Sequence, residues 1–182
     1  LTIEETGEAM GLSPATVTAV RDGRSVDTTM GFSPLEGVPM TTRSGSVDPG
    51  ALLYLLREHG LDVDDLGQAL NHESGLKALA GGSGEMIELE KRVQDGDPAA
   101  SLALDIFSFR VAGAVAAMGV AAGGLDALVF TAGIGEGSPD VRERACTLLS
   151  FLGAELDAER NRRAIPDCDI ATGESPVRIL VV

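Results

Sequence analysis

Two stretches of this sequence carry residue types suited to holding an anion. The first is Gly133-Ile134-Gly135-Glu136-Gly137, which follows the apolar run Leu128-Val129-Phe130 and precedes Ser138-Pro139-Asp140. Glycines let backbone come close to a ligand, and a helix start offers free N–H groups, so strand, glycine turn and helix together can form an anion or nucleotide site. A plain tight turn fits the same residues. The stretch is not a phosphate loop with its Lys and Ser/Thr, nor a full dinucleotide fingerprint, because no glycine stands at the third spacing. The second stretch is Arg43 among Thr41, Thr42 and Ser44. A guanidinium fork in a hydroxyl-rich setting suits a phosphoryl group. An ordinary surface arginine is the equal alternative on these residues alone.

Such groups need rigid elements behind them. The pattern predicts a buried strand over Asp126–Thr131, then a helix with Ser138 as N-cap, Pro139 at the first position and Asp140 in the first turn. Its apolar face is Val141, Ala145, Leu148, Leu149 and Leu152. Upstream, Val17–Val20 and Ser25–Thr29 flank Arg21-Asp22-Gly23-Arg24, a hairpin pattern because Asp-Gly tolerates positive φ. Arg43 falls within Met30–Gly45, a loop-rich stretch with Pro34 and Pro39, and long ordered loops are usually functional. Asp48-Pro49 opens a helix with Leu52, Leu53 and Leu56 on one face and Gly60 after its end, and Asp62–Leu70 repeats the pattern with Val63, Leu66 and Leu70. His59 and His72 fall at helix ends without partners at ligand spacing, so they read as dipole-compensating or surface residues rather than metal ligands.

Glycine-rich turns at Glu73-Ser74-Gly75 and Gly81–Gly84 bracket a short apolar segment, and Glu85–Gln94 reads as a charged, solvated helix. Asp97-Pro98 caps a long helix to about Ala122 whose only charges are Asp105 and Arg110. A helix that apolar is expected to be covered on more than one side, between layers or at a subunit interface. Gly153–Asp167 reads as irregular around Glu155–Arg163, and Val177–Val182 as a final strand. Strands alternating with helices predict an α/β layered fold.

Composition narrows the partners. A length of 182 residues with 44% hydrophobic content fits a globular chain with a sizeable core. A net charge of −14 argues against nucleic acid and anionic membranes as partners. Cys146 and Cys168 lack CxxC spacing, which points to a reducing compartment. The apolar run Val111–Ala122 is glycine-interrupted and reads as too short to span a bilayer, so a soluble cytoplasmic protein is expected. Residues 1–17 stand apart: Ile3, Ala9 and Met10, a turn at Gly11 and a second start at Ser13-Pro14 resemble a sigma-factor helix-turn-helix, helical or disordered here. No basic surface supports DNA binding by this segment.

Three segments, Val26–Pro49, Glu73–Leu76 (ESGL) and Val129–Arg144, resemble the C-terminal half of the acetokinase family, in the same order and spacing from about Thr16 to Val182. That family belongs with sugar kinases, actin and the Hsp70 ATPases. The resemblance implies a ribonuclease-H-like (actin-like ATPase) α/β domain over residues 18–182, with a mixed sheet flanked by helices, truncated at both ends. It implies reversible phosphorylation of acetate by ATP with Mg2+, and a homodimer. Carried over position by position, Arg43 matches the catalytic arginine at the transferred phosphoryl group, and Pro34 lines a pocket for the acetate methyl. Gly133, Ile134, Gly135 and Glu136 match the nucleotide-side glycine turn, with Gly137 where the family has Asn. Glu85, Met86 and Ile87 align with a second nucleotide segment, Ile87 replacing its arginine.

The departures define the competing reading. Met10–Ala15 stands where the family has a glycine-rich phosphate loop, and the family's metal-holding Glu would lie past Val182. No metal ligand is therefore assigned in this chain. The alternative to an acetate kinase is a catalytically inactive fragment that binds nucleotide and dimerises, from a rearranged or truncated gene.

Overall fold

The computed structural model describes residues 16–182, so the segment likened to a helix-turn-helix lies almost wholly outside the described residues, as does Met10–Ala15. β1 (Thr18–Arg21) and β2 (Arg24–Thr28) form the expected antiparallel hairpin. Asp22 and Gly23 take φ of 52° and 73°, the left-handed pair that a two-residue hairpin turn requires.

The chain divides into two compact units: Met30–Phe107, and the chain up to Thr29 together with Ser108–Val182. In the first unit, residues 30–48 carry no regular element, as expected. They lead into α1 (Pro49–Glu58), whose N-cap Asp48 accepts from Gly50 N, and α2 (Val63–His72), whose N-cap Asp62 accepts from Asp65 N. Both helix starts match the sequence reading, and the apolar faces are partly covered: Leu66 is buried, Leu52, Leu56 and Leu70 are half-buried, and Leu53 and Val63 are exposed. The bracketed apolar segment is a short helix, α3 (Gly75–Ala80), with Leu76 and Ala80 buried. α4 (Met86–Gln94) is not merely a solvated face, because Met86 and Leu89 are buried.

α5 (Pro98–Ala122) is one continuous helix of 25 residues. Asp97 caps it, accepting from Ala99 N (2.8 Å) and Arg92 Nε (2.8 Å); the Arg92 bond foremost, then the Ala99 N–H, holds its carboxyl below the usual range. Taken whole, α5 is long and apolar enough to cross a membrane by length and composition only, a test that the core helix of a soluble protein also passes. Among the described residues the helix is covered on one side and exposed on the other. Ala100, Ala103, Leu104, Phe107, Ala112 and Val115 are buried, while Leu102, Phe109 and Val120 are exposed.

The second unit is built on a three-stranded sheet ordered β3 (Ala127–Phe130), β5 (Arg178–Val181), β4 (Cys168–Asp169). β3 and β5 are parallel and β4 is antiparallel to β5, a mixed sheet flanked by helices as expected. Leu128, Phe130, Ile179 and Val181 face the core with Ala145, Cys146, Leu149, Ile170 and Val177. Val129 is exposed, so β3 buries one face rather than both. The segment expected to be irregular contains α8 (Ala158–Arg162), capped by Asp157 on Arg160 N at 2.9 Å.

Burial pushes the Cys146 thiol up to about 12, and so suppresses the reactive thiolate. A thiol reagent at pH 8 should label half-buried Cys168 in the native chain and reach Cys146 only after unfolding, as peptide mass mapping would read. Because the folded value lies above the unfolded one, the stability this thiol contributes is complete below about pH 9 and is lost as pH rises toward 12. Equal native labelling at both cysteines would contradict the packing.

Candidate functional site

β3 delivers the chain to the glycine corner. Thr131 is extended, Ala132 takes φ 60°, and the residues read as a turn wind into a short helix, α6 (Ala132–Gly137). A left-handed alanine costs about 1–2 kcal/mol, the kind of local strain that collects at functional sites. The glycines have different reasons. A side chain on Gly135 would meet the Phe130 backbone at 3.1 Å, so close packing against the strand end demands glycine. Gly133 and Gly137 are exposed with nothing over them, leaving backbone open to a ligand. Ile134 and Glu136 are half-buried.

Ser138, Pro139 and Asp140 open the next helix, α7 (Pro139–Leu148), as the sequence predicts. Ser138 Oγ, buried, takes the Val141 N–H at 3.1 Å, Pro139 has no N–H, and Asp140 pairs with Arg144 at 3.2 Å. Of the expected apolar face, Val141, Ala145 and Leu149 are buried while Leu148 is exposed.

Sequence reasoning missed Arg142 and Asn161. Arg142 is 1% exposed and Asn161 0%. Arg142 Nη1 donates to Gly135 O and Glu136 O, both at 2.7 Å, and its Nε and Nη2 donate to Asn161 Oδ1 (2.7 Å) and Asn161 O (3.0 Å). A signal for Arg142 existed. It stands three, four and seven residues before Ala145, Cys146 and Leu149, on the inward face of α7.

Arg43 lies in the Met30–Phe107 unit, on a segment tied down residue by residue. Leu76 N, Lys77 N and Ser74 N donate to Met40 O (2.9 Å), Thr41 O (2.9 Å) and Thr42 O (3.0 Å), Ser44 N reaches Leu70 O (3.0 Å), and Thr42 Oγ1 reaches Asn71 O (2.9 Å). Gly75 and Gly84, both at positive φ, press against this segment from α3 and from the turn after it. The Glu73–Leu76 motif is thus the bracket that holds Arg43. The guanidinium is half-buried and meets only Met40 Sδ at 3.8 Å; among the described residues no carboxylate pairs with it.

Pro34 is half-buried in a turn closed by Glu36 N on Ser33 O (3.2 Å). Glu85 is exposed at the N-cap of α4, Met86 is buried beneath it, and Ile87 is 84% exposed, so Met86 offers no surface there. These residues share the unit that holds Arg43, whereas Gly133–Gly137 belong to the other. His59 stacks edge-on with Tyr54 at 5.1 Å. Among the described residues there is no group of three or more His, Cys, Asp or Glu that could hold a metal ion.

Comparison with known proteins gives one answer. A family model described as "Acetokinase family" matches residues 10–182, beginning inside the stretch that the sequence sets apart. The chain is 51% identical over 164 residues to an acetate kinase of Nostoc punctiforme and 49% to one of Gloeobacter violaceus, covering 90% of this chain and 40% of each relative. Its fold resembles the crystal structure of Porphyromonas gingivalis acetate kinase (TM-score 0.87, 33% identity) and that of a Francisella tularensis propionate kinase (0.86, 35%). Each of these covers 98% of this chain and 48% of the other. The chain therefore spans about two-fifths of the length of the curated relatives it matches. The fold class expected from the resemblance is the one found, and the chain belongs to the acetokinase family.

Proposed function

We propose that this chain is the nucleotide-holding part of an acetate kinase, acting in the cytoplasm on ATP and acetate and associating as a homodimer. The observation that carries this reading is Arg43. In a chain with 28 acidic and 14 basic residues, it sits on a backbone fastened on both sides, yet no described carboxylate neutralises it. An uncompensated guanidinium on a fastened backbone fits the equatorial oxygens of a phosphoryl group in flight. In the reaction a carboxylate oxygen of acetate bonds to the γ-phosphorus while the bond to the β–γ bridging oxygen breaks, giving acetyl phosphate and ADP. Arg43 stabilises charge on the transferring group and Pro34 borders the acetate methyl. The glycine corner Gly133–Gly137 is the nucleotide contact of its own unit, and in the Met30–Phe107 unit Glu85 and Ile87 are the surface residues of the second nucleotide segment, with Met86 buried.

Acetate is favoured over propionate by the names of the relatives at 49–51% identity. The exposed Phe109 and Val120 of α5 support the homodimer, and the net charge of −14 supports the absence of nucleic acid and membrane partners. Magnesium enters with the nucleotide, and no step is assigned to it.

A second reading, a nucleotide-binding and dimerising fragment without catalysis, is favoured by the chain's span of two-fifths of its relatives. ADP release from ATP, magnesium and acetate tests that second reading. The chain by itself is expected to stay at background, and turnover abolished by Arg43→Ala would overturn it.

A further inference from the structure

Resting on the reading of Gly133–Gly137 as a nucleotide contact, we propose that Arg142 and Asn161 form a buried clamp that sets the shape of that corner and thereby its affinity for nucleotide. α6 has six residues, too few to persist without outside support. Its last carbonyls have no partners within the helix, and a cation at a helix C-terminus is favourable. Arg142 supplies both, drawing Gly135 O and Glu136 O to one nitrogen at 2.7 Å.

The guanidinium is itself fixed from behind. Asn161 accepts from Nε, offers its own carbonyl to Nη2, and donates from Nδ2 to Pro139 O at 2.8 Å, tying the start of α7 to the same point. Asn161 rides on α8, which is anchored by Asp157 N on Ile170 O (2.8 Å) and Arg160 Nη1 on Ala171 O (3.1 Å). A continuous run of hydrogen bonds thus leads from the strand region Ile170–Ala171 through α8 and Arg142 to the corner, which it reaches from the protein side. Gly133 and Gly137 stay uncovered on the other. Being 1% exposed, Arg142 is a positioning residue and does not touch the ligand.

Asn161→Ala and Arg142→Lys test the clamp on the full chain, because Arg142→Ala is expected to destabilise the whole unit. Hydrogen exchange of residues 132–138 is compared with that of β3 and β5, and ADP is titrated by calorimetry. Each variant should speed exchange in the corner and weaken ADP binding about tenfold, the worth of one charge-assisted hydrogen bond, with strand protection unchanged. Uniform loss of protection, an unchanged corner, or a loosened corner with unchanged ADP affinity would overturn the proposal. If the unmodified chain takes up no ADP at millimolar concentration, the nucleotide reading and the affinity claim both fall, and the exchange data alone decide whether the clamp shapes the corner.

Discussion

Arg142→Ala is expected to lower the free energy of unfolding by about 3–5 kcal/mol, a large share of what a domain has in total. The substitution leaves Asn161 Oδ1, in a residue 0% exposed, without its donor, and removes the donor shared by Gly135 O and Glu136 O; the Asn161 carbonyl keeps the Ala164 N–H at 3.3 Å. Each buried group so orphaned costs about 1–3 kcal/mol, and the vacated volume adds a cavity term. Arg144, two residues on in the same helix, is the control. Its ion pair with Asp140 is an (i, i+4) surface pair whose partners are 25% and 41% exposed, worth about 0.5 kcal/mol. Urea denaturation of both alanine variants gives the comparison. Equal, small losses would show that Arg142 is not the anchor described.

Gly75→Ala is the second large effect, with an expected cost of about 3 kcal/mol. Gly75 has φ 63°, where any side chain costs about 1–2 kcal/mol. A Cβ there would also enter the van der Waals shell of Met40 O and lie 2.6 Å from Arg43 O and 3.0 Å from Arg43 N. Backbone cannot yield as a flexible side chain does, so the clash falls on the segment that presents the guanidinium, adding about 1–3 kcal/mol. Gly60→Ala separates the two terms, since Gly60 has φ 67° but nothing within 4 Å. It should cost only the conformational part, about 1 kcal/mol. Matching midpoints for the two variants would mean that the segment around Arg43 is not held by Gly75.

Features fixed by short-range chemistry were legible in the sequence. The Asp22-Gly23 hairpin, the Asp48, Asp62 and Ser138 caps and the terminal strand are local choices of backbone angle and capping, and each appears where expected. What depends on tertiary partners was not. The glycine corner reads as a turn because glycine disfavours helix, yet α6 closes there because Arg142 gathers its carbonyls from a neighbouring helix. α8 was missed because one alanine and four charged or polar residues show no apolar period; Asn161 is its buried contact. Leu53, Val63 and Leu148 were assigned to buried faces by spacing, but each lies at the exposed edge of its stripe, while Leu66, Val141, Ala145 and Leu149 of the same stripes are buried. The Glu73–Leu76 motif was recognisable by resemblance, while its role as the bracket of Arg43 needed the hydrogen bonds.

The central claim is that the corner after β3 receives an adenine nucleotide. Amide NMR of the isotope-labelled chain during titration with ADP and magnesium addresses it residue by residue. Saturable shifts concentrated at Ala132–Ser138 are the predicted result. Shifts confined to the β1–β2 hairpin, or no saturable change at millimolar nucleotide, would contradict it.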